Sequence, residues 1–172
     1  MRTKFLFAGI LVMLSIASFS QTQYEVIADP KHPGSKILKG VINKDLIQKD
    51  TTFKWYANSQ KAYTQPDTAI VRILRKDSGV QYIIFGGTWC EDTQFILPKF
   101  FTLQEKAGIA DNRITFFGVD RQKQSFGNIT SAMNITNVPT IIVMKNGKEA
   151  GRVVEYGKTG KWDKELSEIV GK

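Results

Sequence analysis

Cysteine and histidine are almost missing from this chain. Cys90 and His32 are each the single example of their type in 172 residues. One cysteine excludes an internal disulfide, so packing alone must hold the fold. The thiol is then either an inert core side chain or a site that meets thiols from other molecules. One Cys and one His far apart in sequence supply neither a zinc ligand set nor a Cys–His nucleophile pair, and no metal or cofactor is implied. His32 lies in DPKHPGS and reads as a loop residue. Long runs of one charge are also missing. The 24 Lys and Arg residues are interleaved with 16 acids, giving a net charge of +8 without a basic stripe. That argues against nucleic acid as a partner and leaves a solvated basic surface. Internal repeats and low-complexity stretches are absent too.

The amino end is a different composition. Arg2 and Lys4 precede an apolar stretch, Phe5 to Ile16, that is shorter than a membrane span. Ala17, Ser18 and Ser20 follow as small residues before Gln21. This pattern predicts a secretory signal over residues 1–20, cleaved after Ser20. It implies a periplasmic or secreted protein with no stable membrane association after cleavage. Loss of Arg2 and Lys4, with no acid, leaves +6.

With hydrophobic residues at 42%, the remainder can build an ordinary core. Residues 21–78 carry weaker signals and read as an N-terminal extension packed on, or preceding, a domain at 79–172. Within the extension, YEVIA is a short strand, VINKDLIQKD has helical spacing, and DTAIVRILRK predicts a helix with Ile70, Ile73 and Leu74 on one face. From residue 80 the pattern sharpens. VQYIIF (80–85) is a buried strand, followed by a helix from Cys90 towards Lys106 with Phe95, Ile96, Lys99 and Leu103 at helical spacings. Pro98 inside it predicts a kink. RITFFGVD (113–120) and TIIVMK (140–145) are strands, Asn146-Gly147 a hairpin turn, EAGRVVE the returning strand, and GKWDKELSEIV a closing helix. The order β-α-β-α-β-β-α predicts an α/β fold, a mixed sheet flanked by helices.

The informative stretch is GGTWCEDTQ (86–94). A cysteine at a helix start meets free backbone N–H groups and the positive end of the helix dipole, which favour the nucleophilic thiolate. Glu91 and Asp92 suit the first turn but set negative charge against that form. Thr93, one turn on, is placed to give its hydroxyl to the sulfur, and Asp92 is a candidate for proton transfer.

Trp89-Cys90 after a buried strand, Pro98 eight residues beyond the cysteine, and NVPT (137–140) before an apolar strand and hairpin resemble the thioredoxin family from about residue 80 to the end. The resemblance implies a thioredoxin-like fold, a cis Val138-Pro139 peptide facing the cysteine, and a groove of Trp89, Val138 and Pro139 where a partner's extended chain docks. The departures are equally specific. Thr93 stands where the family has its resolving cysteine, Glu91-Asp92 replaces Gly-Pro, and Ile84 occupies the position of a buried acid. The expected chemistry is therefore thiol–disulfide exchange by a single thiol: Cys90 the nucleophile, Thr93 and Asp92 its helpers, and an external thiol resolving the mixed disulfide. The partner is a thiol- or disulfide-containing protein or a small thiol. The alternative is a redox-inactive binding module that keeps the Trp89/Pro139 groove, with Phe53, Trp55, Tyr56 and Tyr63 as a partner surface or as packing. Peroxide chemistry ranks lower, because Gly87 stands where the peroxidase motif has threonine.

Overall fold

Three apolar runs between Gln81 and Lys145 become the middle of a six-stranded sheet. The computed structural model describes residues 23–76 and 79–172. The expected leader, residues 1–20, and Asp77-Ser78 lie outside the described residues. The strands are β1 (Tyr24–Ala28), β2 (Lys36–Ile42), β3 (Gln81–Gly86), β4 (Ile114–Gly118), β5 (Thr140–Lys145) and β6 (Lys148–Val154), in the order β1-β2-β4-β3-β5-β6. β3 and β4 are parallel, and the other neighbours are antiparallel. The helices are α1 (Lys44–Gln48), α2 (Trp55–Lys61), α3 (Thr68–Lys76), α4 (Glu91–Ala107), α5 (Ile129–Ala132) and α6 (Trp162–Val170). The predicted mixed sheet with flanking helices is present.

Alternation along the central strands sorts side chains between two faces. Tyr82, Ile84, Phe116, Ile141 and Val143 enter the larger core with the inner faces of α3, α4 and α6. Phe85 and Ile142 enter a smaller cluster with Val119 and Val138, against which Trp89 and Cys90 pack. The candidate site thus sits at the edge of the lesser core, where β3 hands over to α4.

Four expectations change. Val41 and Ile42 end β2 rather than start a helix, and α1 begins later, its first turn capped by Asn43, whose side chain accepts the Leu46 N–H at 3.0 Å. Phe53 and Tyr56 are core residues, which removes them as a partner surface, while Trp55 and Tyr63 pack partly buried against the same core. Ile73 is exposed beside its buried neighbours Ile70 and Leu74. Phe95 points outward at 45% exposure, because its ring meets Tyr156 rather than the sheet.

Pro98 lies inside α4 and has no N–H to give the carbonyl of Gln94. The Ser59 hydroxyl on α2 fills the gap, donating to that carbonyl at 2.8 Å. Ser59→Ala is therefore expected to cost about 1 kcal/mol, the net value of a hydrogen bond whose acceptor is left unpaired. Urea denaturation checks this, and an unchanged midpoint would refute it.

β2 and β4 meet at paired glycines, Gly40 and Gly118. A β-carbon on Gly118 would overlap the Leu38 carbonyl oxygen, a backbone atom that cannot swing away. Gly118→Ala is expected to lose about 2 kcal/mol through this overpacking. Thermal melting that matches wild type would contradict so close an approach of the two strands.

Candidate active site

β3 ends at Gly86, and the chain turns tightly through Gly87 to Cys90, whose N–H donates to the Gly87 carbonyl at 2.9 Å. The Trp89 ring folds back over Gly87 so closely that a β-carbon there would lie 2.6 Å from the indole nitrogen. Only glycine fits beneath it. The indole Nε1–H donates to the Val119 carbonyl at 3.0 Å, which fixes the ring's edge. Cys90 is the N-cap of α4 with extended backbone, φ −92° and ψ 122°. It is half-buried, and its sulfur caps no helix N–H. Instead the thiol donates to the Val138 carbonyl at 3.2 Å. The Val138–Pro139 peptide is cis.

Trp89, Cys90, Val138 and Pro139 are thus brought together. Thr93 is placed differently from its expected role. Its buried hydroxyl accepts the Gly87 N–H at 3.3 Å and makes no bond to the sulfur. The strand-to-helix corner leaves that N–H without a ladder partner, and the backbone donor takes the hydroxyl. Asp92 lies in the first turn of α4, and the Tyr156 phenol is raised above its ordinary value by burial and by the negative charge of Asp92. The Glu155 N–H donates to the Pro139 carbonyl at 2.7 Å, which ties the segment before Tyr156 to Pro139. Phe95 and Tyr156 pack with ring centroids 5.6 Å apart. Lys99, one turn beyond Phe95, lays its ammonium over that ring, and burial lowers it from the usual lysine range.

Sequence reading missed Tyr156, and it missed a second group that packs on Trp89. The Arg121 guanidinium lies over the indole, 5.0 Å from its centroid. Asp29 grips that guanidinium from the loop between β1 and β2. Among the described residues no three His, Cys, Asp or Glu side chains come together as a metal-ligand group.

The Thioredoxin family model matches residues 63–168. The chain belongs to the thioredoxin family. The fold is thioredoxin-like, with β1, β2, α1 and α2 lying ahead of the matched region. Thioredoxin from Staphylococcus epidermidis is 29% identical over 94 residues, covering 51% of this chain and 86% of that protein. The TPR repeat-containing thioredoxin of Arabidopsis thaliana is 28% identical over 90 residues, and the match spans 52% of this chain but only 22% of that longer protein. The solved structure of reduced thioredoxin 2 from Pseudomonas aeruginosa overlaps at a TM-score of 0.39 and 18% identity, covering 63% of this chain and 93% of that one.

Thioredoxin-family proteins generally act on thiol and disulfide substrates. In this member the only thiol is Cys90. Ile84, where the resemblance places a buried acid, is fully enclosed in the larger core. The acid nearest the sulfur along the chain, outside the core, is the first-turn pair Glu91 and Asp92.

Proposed function

We propose that this chain is an extracytoplasmic monothiol member of the family, active in thiol–disulfide exchange through Cys90. One observation carries the reading. The sole thiol is half-buried at the start of α4, 3.2 Å from the carbonyl preceding Pro139, with threonine where a resolving thiol would stand.

The Cys90 thiolate attacks one sulfur of a partner's disulfide. A bond forms between the two sulfurs, the partner's S–S bond breaks, and the departing sulfur leaves as thiolate and takes up the proton that Cys90 gave to solvent. An external thiolate then attacks the mixed disulfide and restores Cys90. Isomerisation needs only this attack and counter-attack, with no net oxidant. Trp89, Val138 and Pro139 form the groove in which the partner's chain lies. Asp92, in the first turn of α4 beside Cys90, is the proposed proton-transfer group.

Oxidised glutathione and intact-mass measurement test this. The folded protein is expected to gain one glutathionyl group that survives removal of free reagent and leaves on addition of dithiothreitol, with no adduct on Cys90→Ala. An adduct seen only after denaturation would overturn the reading and leave a redox-inactive module that binds through the Trp89/Pro139 groove. The extracytoplasmic part rests on the leader-like sequence at residues 1–20. It is checked separately, by fractionation and by whether Gln21 is the first residue of the exported chain.

A further inference from the structure

The loop read as a plain turn, DPKHPGS, reaches the redox corner. Asp29 follows β1 directly, and its carboxylate is only 1% exposed. It accepts the Lys31 N–H at 3.0 Å and receives the Arg121 fork through both oxygens, at 2.7 Å from Nε and 2.9 Å from Nη2. Such a bidentate pair fixes the plane of the guanidinium as well as its place. That plane lies over Trp89, whose other edge is tied to Val119. His32 adds a contact, its Nδ1 lying 2.8 Å from Arg121 Nη2 and 3.2 Å from Asp29.

A second tie reaches the same tripeptide from β2. The Thr88 hydroxyl donates to the Lys36 carbonyl at 3.1 Å and accepts the Leu38 N–H at 3.3 Å. Residues 29–38, which precede the family match, thus hold Thr88 directly and reach Trp89 through Arg121.

We propose that Asp29 and Arg121 are positioning residues for the Cys90 site: the carboxylate orients the guanidinium, the guanidinium holds the Trp89 indole, and the indole sets the wall of the groove beside the sulfur. The proposal rests on the reading of Cys90 as the reacting thiol. Neither residue touches the reacting sulfurs. Both act through Trp89.

The test is a double-mutant cycle of Asp29→Asn and Trp89→Phe, read by the rate of mixed-disulfide formation with oxidised glutathione across pH. Each single variant is expected to slow exchange about fivefold or more and to alter the pH profile. The double variant should be no slower than the worse single, because both changes break one chain of contacts. Arg121→Lys, which keeps the charge but loses the planar fork, should behave like Asp29→Asn. Rates and profiles within twofold of wild type, or losses that multiply in the double variant, would overturn the proposal. Far-UV circular dichroism establishes folding in each case, and if Asp29→Asn does not fold, the Arg121→Lys and Trp89→Phe pair gives the same cycle. Trp89 emission, taken as the difference between chains with and without Trp89, needs no reactive thiol. Asp29→Asn must change it even if Cys90 proves inert, and an unchanged difference spectrum would also overturn the proposal. A wild-type chain that forms no adduct instead counts against the exchange reading alone.

Discussion

Thr93→Cys is expected to turn a persistent mixed disulfide into a transient one. Thr93 sits in the first turn of α4, three residues after Cys90, on the buried side towards Gly86 and Gly87. Helical residues at this spacing are neighbours, with β-carbons about 5–6 Å apart, and a small shift brings them to disulfide distance. A thiol there would attack the mixed disulfide within one molecule. Well-oriented intramolecular groups outcompete free ones by large factors, so release should accelerate by about 100-fold or more over millimolar external thiol. The cost is modest. The Gly87 N–H exchanges a hydroxyl acceptor for a weaker sulfur, about 1 kcal/mol of stability. An aromatic disulfide reagent that liberates a coloured thiol gives the readout. Wild type should release one equivalent per chain and stop, whereas the variant should release a second as its own disulfide closes. A single equivalent from folded Thr93→Cys would show that the two positions do not meet.

The second large effect concerns stability. Arg121→Ala is expected to destabilise the protein by about 3 kcal/mol at neutral pH, because it strips the covered Asp29 carboxylate of its guanidinium partner and leaves it only the Lys31 N–H and the His32 contact. The figure is at the low end of the range for broken pairs, since the pair lies just beneath the surface, roofed by the largely exposed His32. Acid should narrow the gap. The hydrogen bonds from Arg121, foremost among the causes, hold the Asp29 carboxyl well below the usual carboxylate range. The stability it contributes is complete above the unfolded value of about 3.9 and is lost as pH falls through the folded one. In Arg121→Ala that stabilisation is gone, and burial favours the neutral acid. Urea denaturation of both proteins at pH 7 and pH 3 should therefore show a wide difference closing on acidification. A difference independent of pH would mean that the pair contributes nothing as an ion pair.

These two sites show what sequence could and could not disclose. β3 and β5 were legible because their runs are buried on both faces, and Asn146-Gly147 because the turn chemistry is local. The helix start at Cys90 was legible from the strand and Gly-Gly turn before it. β2 was not, since Lys39 and Gly40 interrupt KILKGVI and hide a strand that is half covered. Spacing alone points Thr93 at the sulfur, but the Gly87 N–H at the corner competes for its hydroxyl. Phe95 followed the helical period but lies where Tyr156 offers a ring. Asp29 and Arg121 left no trace, because nothing local links residues 92 apart in sequence.

The pairing of Gly40 with Gly118 also sets an order of events. A chain delivered amino end first presents the β1–β2 hairpin early, and an isolated hairpin is marginal in water. Its docking partner, β4, arrives much later, after α4 and the whole Cys90 loop. Contacts so distant along the chain close slowly. The thiol therefore emerges before the strands that tie down Thr88 and Trp89 have anything to dock on, while its surroundings are still unassembled. Pulse-labelled hydrogen exchange during refolding should find the amides of β2 protected no earlier than those of β4. Early protection of β2 alone would reverse that order. For a protein with one thiol and no internal disulfide to form, speed of folding is then itself a defence against capture by the wrong partner.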